Sequence, residues 1–315
     1  MSLTTLGDMP NALPIGRVGV WGHLDSLPAA QLRAYAARIA ELGPGTLWVP
    51  ETVGREPFAL LAFVAEAAGD RMWLGTSIAA IYSRDAVTMK TGAMTLHELT
   101  GGRFVLGLGV SHPHLVTKVR GHEYERPVSA MREYLAAYHA APWRGPTLPD
   151  AAKGEPPVLI AALRERMLTL AATEADGAFP YLVTPERLAW MRGIVDAAAE
   201  TAGRPRPWLA VTLPVVVETN PEIARATARA YLVPYLRAPN YQASFAEQGF
   251  DADDWTQPGS DRLVDAMIAW GDVTNLHARI RAMHSAGADH VALIPLAPDG
   301  TDANLPTVEA LATTA

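Results

Sequence analysis

Short runs of β-branched and apolar residues alternate along this chain with longer segments whose apolar positions recur every three or four residues. That alternation is the signature of repeated βα units. Eight runs read as strands: Ile15–Trp21, Thr46–Val49, Met72–Ala79, Phe104–Leu108, Val158–Ala161, Gly177–Tyr181, Trp208–Val217 and His290–Ile294. Between the first two, Leu32, Tyr35, Ala36, Ile39 and Leu42 share one helical face, opened by Pro28 and stopped by Gly43. A second helix carries Leu60, Leu61, Val64 and Ala68 before Gly69. Later helices open at Thr184-Pro185 and Asn220-Pro221, where a capping side chain precedes a proline that has no amide to satisfy. Parallel strands buried on both faces read as near-continuous apolar runs, and eight βα units close on themselves. The pattern therefore predicts an α/β fold, a single (β/α)8 TIM barrel. A doubly wound sheet would carry a glycine-rich turn after its first strand, and Trp21-Gly22-His23-Leu24 is not one.

Two spacings depart from the repeat. A long helix, Tyr124–Ala140, and a Pro/Gly-rich loop, Pro142–Pro157, separate the fourth and fifth strands. Between the seventh and eighth lies an insertion, residues 218–289, which leaves from a strand end and is predicted to lie over the barrel mouth. The whole chain, 1–315, then reads as one domain. At 315 residues, 49% apolar and 19% charged, it has ample material for a core. A formal charge of −7 argues against a nucleic-acid or anionic-membrane surface, and no apolar run reaches the length of a membrane span. The first residues lack the basic start and apolar stretch of a secretory leader, so the chain is expected in the cytoplasm with a small molecule as its partner. With no cysteine, thiolate nucleophiles, Cys-ligated zinc and iron–sulfur sites are excluded.

In a barrel the chemistry sits at the C-terminal ends of the strands. Those ends present Trp21, His23 and Asp25; Glu51; Ser77, Ile78 and Tyr82; Ser111 and His112; Ala161, Ala162 and Arg164; and Tyr181. His112-Pro113-His114 has the spacing of a metal-chelating pair, but it follows the fourth strand, and the next three strands offer no further histidine, so no metal is assigned. Gly107-Leu108-Gly109 lacks the third glycine of a dinucleotide fingerprint, yet glycines there let the backbone approach a flat ligand. Glu51 ends an apolar strand, so its carboxylate is either paired, with Arg55 or Arg84, or faces a pocket.

Three linked segments carry a family resemblance: Leu74-Gly75-Thr76-Ser77-Ile78, then Tyr82-Ser83-Arg84-Asp85, then Thr95-Leu96-His97-Glu98-Leu99-Thr100-Gly101-Gly102-Arg103 running through Phe104 to Gly109. Together with Pro157–Ala162 and Ala175-Asp176-Gly177, they resemble the luciferase-like monooxygenase superfamily, specifically its coenzyme F420-dependent oxidoreductases. The resemblance implies a deazaflavin in the barrel mouth, with FMN as the alternative, and a homodimer. It also implies a non-prolyl cis peptide at Ser77–Ile78 behind the cofactor ring. Trp21, Ser77, Ile78, Gly107, Gly109, Val110, Ser111, Ala161, Ala162 and Leu163 are the cofactor-binding positions it points to. Where related sugar-phosphate dehydrogenases carry an Asp-His pair, this chain has Pro50-Glu51, which leaves His112, Glu51 and His23 as the candidates for proton handling, His112 foremost. A metal-dependent barrel hydrolase using His112 and His114, and a cofactor-binding barrel without turnover, stand as the rival readings.

Overall fold

The computed structural model describes residues 13–148 and 154–313. Eight barrel strands are present: β1 Val18–Trp21, β2 Thr46–Val49, β3 Trp73–Thr76, β4 Phe104–Gly109, β5 Val158–Ile160, β6 Gly177–Ala178, β7 Trp208–Val217 and β8 His290–Pro295. Each pairs in parallel with its neighbour, and β8 pairs with both β7 and β1, so the sheet closes into a ring. Apolar residues fill these strands because both faces are covered: Leu47, Leu74, Leu106 and Leu293 are fully buried.

The third strand is broken where the sequence reads as continuous. It stops at Thr76, passes through a cis peptide at Ser77–Ile78, and resumes as Ala79–Ala80 against β4. The ladder is not lost at the break, because Ser77 N–H donates to Val49 O (2.8 Å) and Glu51 N–H donates to Ile78 O (3.1 Å).

The helices follow their cap signals. Helix α1 (Ala29–Leu42) starts after Pro28 and ends at Gly43, whose φ of 91° is left-handed, and α2 (Pro57–Ala68) ends at Gly69. Asp85 caps α3 (Ala86–Leu99) by accepting from the amides of Val87 and Thr88. The helix expected over Tyr124–Ala140 begins later, as α4 (Pro127–Ala140), because Pro127 disfavours a helical residue before it and Arg126 takes a left-handed φ of 41°; a π-helical turn, Leu115–Val119, lies further upstream. Then come α5 (Glu165–Glu174) and α6 (Pro185–Thr201), the latter capped by Thr184.

The segment between β7 and β8 holds α7 (Pro221–Leu236), α8 (Pro239–Glu247), α9 (Ala252–Trp255), α10 (Asp261–Met267) and α11 (Val273–Ser285). It also holds a short strand, Ala269–Gly271, that the pattern does not predict; it extends the far end of β7 beside Val215–Val217. Helix α12 (Leu305–Thr313) closes the shell. No helix among the described residues is long and apolar enough to cross a membrane.

Candidate active site

The strand ends open into one cavity of about 850 Å³. Trp21 and His23 enter from β1, Glu51 from β2, Ser77 and Ile78 from the break in the third strand, and Gly109, Val110, Ser111 and His112 from β4. Ala161, Ala162 and Leu163 follow β5, Phe179 and Tyr181 follow β6, and Thr212 and Ile294 come from β7 and β8. The insertion supplies Tyr235, Asn240, Tyr241 and Glu247. Of the cofactor-binding and proton-handling positions named from the sequence, Gly107 alone does not line this space, and of the other strand-end residues Asp25 and Tyr82 also stand outside it. Gly107 is locked to β3, its N–H donating to Thr76 Oγ1 (3.0 Å) while that hydroxyl donates to Gly107 O (2.9 Å).

One wall is flat and built of small parts. The Trp21 indole N–H donates to Ser77 O (3.0 Å), fixing its ring beside the cis peptide. A Cβ placed on Gly109 would lie 2.6 Å from the Ile78 side chain, so glycine is what allows Ile78 to lie over β4. Ala161 and Ala162 continue the shallow surface. At the outer rim, Arg126, Arg164 and Arg166 are exposed, and their guanidinium groups make no ion pair or hydrogen bond among the described residues.

The three candidates for proton handling stand in different surroundings. Glu51 has a carboxylate only 7% exposed, and it is fully engaged. Arg84 grips it in a fork at 2.9 and 3.0 Å, the Ala80 N–H donates at 2.8 Å, and Arg120 reaches it at 3.4 Å. The sequence offered Arg55 as an equal partner, but Arg55 instead donates to the carbonyls of Leu24 and Leu27. His23 is held by Asp302, whose carboxylate takes the His23 backbone N–H (2.7 Å) and contacts Nδ1 (2.6 Å). Asp302 lies on the loop after β8, and nothing near it in the sequence marks it as a partner for a residue 279 positions earlier.

His112 differs from both. Ser111 before it takes a left-handed φ of 57°, unusual for a residue with a side chain, and turns the chain out of β4. The His112 ring packs 5.7 Å from that of Tyr241, and its buried Nδ1 has no hydrogen-bond partner. Burial pushes its pKa below the usual imidazole range, the neighbouring Asn240 amide opposing this in part. Asn240 and Tyr241 were not legible from the sequence, since neither lies near a barrel strand. His114 does not line the cavity.

Comparison with known proteins agrees with this geometry. The family profile of luciferase-like monooxygenases matches residues 14–290. A Mycobacterium tuberculosis protein provisionally named a coenzyme F420-dependent oxidoreductase is 25% identical over 279 residues, covering 79% of this chain and 78% of that one. Among solved structures, an F420-dependent secondary alcohol dehydrogenase in complex with an F420–acetone adduct superposes with a TM-score of 0.74 at 15% identity, covering 94% of this chain and 97% of that one. The FMN-bound oxygenating component of 3,6-diketocamphane monooxygenase from Pseudomonas putida gives 0.72 at 14%, covering 94% and 96%. At such identities the two structures speak for the fold alone.

Proposed function

The chain belongs to the luciferase-like monooxygenase family, and from that premise we propose that it is a coenzyme F420-dependent oxidoreductase acting on a small organic alcohol or carbonyl. When bound, the deazaflavin supplies a two-electron centre that accepts or returns a hydride. The residues present fit such a group. Trp21, Ile78, Gly109, Ala161 and Ala162 offer a flat, close-approach surface to a tricyclic ring.

The observation that carries F420 over FMN is the set of unpaired arginines, Arg126, Arg164 and Arg166, on the rim next to that surface. FMN ends in one phosphate, whereas the F420 tail continues past its phosphodiester into a run of carboxylates. Three free guanidinium groups suit the longer anion.

His112 is the residue assigned to the proton. It is neutral near pH 7 because burial disfavours its charged form, and its imidazole takes up the hydroxyl proton of an alcohol that is oxidised to the carbonyl. In the reverse direction the same ring returns the proton to the carbonyl oxygen. Glu51, clamped by Arg84, has no free lone pair facing a substrate and serves the shape of the wall. His23, tied to Asp302, orients beside Trp21, their ring centroids 4.8 Å apart.

Titrating the protein separately with F420 and FMN, followed by absorbance, tests this reading. F420 is expected to bind at least about tenfold more tightly, and Arg164→Ala with Arg166→Ala to weaken it about tenfold, since two charge-assisted contacts are lost. Tighter binding of FMN, or an F420 affinity indifferent to both arginines, would overturn it.

A further inference from the structure

Where β1 and β8 end, a second histidine of the cavity is set by a carboxylate. A Cβ on Gly22 would lie 3.1 Å from that of Ala303, so glycine lets the loop after β8 lie directly on the end of β1. The loop is shaped from within: Asp299 accepts from the amide of Thr301 (2.9 Å), and the Ala297 N–H donates to Thr301 O (2.7 Å). It delivers Asp302, whose side chain is only 6% exposed and bonds no group but His23 among the described residues. One oxygen takes the His23 backbone N–H and the other meets Nδ1. The first bond alone would tie the loop to β1. The second is spent on the imidazole, which the perpendicular Trp21 ring flanks at 4.8 Å.

A carboxylate only accepts, so Nδ1 carries the hydrogen of the neutral ring and Nε2 carries the lone pair. Nε2 meets no hydrogen-bond partner among the described residues. It is not sealed in either: the His23 side chain is 34% exposed and lines the cavity, whereas the partnerless Nδ1 of His112 is buried. An imidazole held in one tautomer from behind, with its other nitrogen accessible from a cavity, is an acceptor of fixed polarity.

We propose that His23 is a specificity-determining residue whose Nε2 accepts a hydrogen bond from a hydroxyl of the substrate, and that Asp302 is the positioning residue that keeps Nε2 an acceptor. This hydroxyl is not the reacting one, which belongs to His112. The substrate class is then a molecule with two oxygens, a diol or a hydroxycarbonyl compound. The second oxygen rests on the oxidoreductase reading; the hydrogen bond at His23 does not.

Asp302→Asn inverts the polarity while keeping the contacts. The amide oxygen still accepts from the His23 N–H, its NH2 donates to Nδ1, and the hydrogen passes to Nε2. Binding of benzyl alcohol and of its methyl ether is measured by ligand-observed NMR on the protein without cofactor, at about pH 8, above the ordinary titration range of imidazole. The parent is expected to bind the alcohol about fivefold more tightly than the ether, which has no hydrogen to give. Asp302→Asn is expected to bind the two within about twofold of each other, because an Nε2–H donates equally to either oxygen. His23→Phe, which keeps a flat ring without nitrogens, is expected to lose the preference as well. Proton–nitrogen NMR of the imidazoles reads the tautomer itself, with the hydrogen expected on His23 Nδ1 in the parent. Equal binding of alcohol and ether by the parent, no detectable binding of the alcohol, a preference that survives either variant, or a hydrogen found on Nε2 in the parent overturns the proposal. Cofactor titration is a separate readout. If F420 fails to bind while this pattern holds, the redox reading is lost and the hydrogen-bond site stands; if F420 binds without the pattern, the site is lost and the redox reading stands.

Discussion

The interior of the barrel holds a fully buried histidine and its mouth a half-buried one, and the two are built in opposite ways. At the start of β8, His290 is fully buried and fully used: its Nε2 accepts from the Trp48 indole N–H (2.9 Å) and its Nδ1 donates to Gly16 O (2.8 Å). Both partners fix one neutral tautomer, since an indole N–H can only donate and a carbonyl can only accept. At the end of β4, His112 is also neutral but half-buried, and its Nδ1 meets nothing. The same side chain is thus bonded through both ring nitrogens in one place and keeps a nitrogen without a protein partner in the other, although Glu51 and His23 at the same mouth are each paired, with Arg84 and Asp302.

Two glycines on β4 sharpen this contrast most strongly. A Cβ on Gly107 would lie 2.0 Å from Thr76 O, which is backbone and cannot turn away. Gly107→Ala should therefore cost more than about 3 kcal/mol of stability, measured by denaturant unfolding. On Gly109 the nearest atoms are side-chain carbons of Ile78, at 2.6 and 2.7 Å, which can shift where backbone cannot. Gly109→Ala should cost about 1 kcal/mol or less in stability, yet weaken cofactor binding about tenfold by displacing Ile78 from the wall. Equal destabilisation by both would break the distinction between interior and mouth.

The next effect is one of pH. Burial pushes His290 down to about 4, below its value in the unfolded chain, which is near 6.5. Between those values the unfolded chain binds a proton that the folded one refuses, so the stability this residue confers is complete above about pH 6.5 and is lost as pH falls toward 4. The loss from this group is about 3 kcal/mol at most. Unfolding free energies measured across that window should decline, and His290→Gln should flatten the slope. His284, pushed to about 4 in the same direction by burial, adds to the decline and is left intact as the remaining slope.

Much of the frame could be read from the chain. Strands such as Thr46–Val49 and Val158–Ile160 announced themselves because both of their faces are covered, and Thr184 and Asn220 marked helix starts through their own hydrogen bonds. What could not be read depends on pairing at a distance. The strand Ala269–Gly271 is three residues without a β-branched side chain, and exists because the end of β7 offers it an edge. Asp302 under His23, Arg84 rather than Arg55 on Glu51, and Asn240 and Tyr241 beside His112 are consequences of how loops fold over the mouth. Gly107 and Gly109 look alike in sequence, two residues apart on one strand. They part company only when their neighbours, a carbonyl of β3 and the side chain of Ile78, are in place.

The central claim, that the open histidine of the mouth carries the proton for hydride transfer with F420, is tested most directly by His112→Ala. Turnover is followed by the deazaflavin absorbance and set beside the F420 dissociation constant of the same variant. The account predicts turnover lower by about 100-fold or more, with cofactor affinity within about twofold of the parent, since His112 acts on the substrate proton and not on the ring. Undiminished turnover in His112→Ala, with activity lost instead in Glu51→Gln or His23→Ala, would contradict it and hand the role to the residue whose loss stops the reaction.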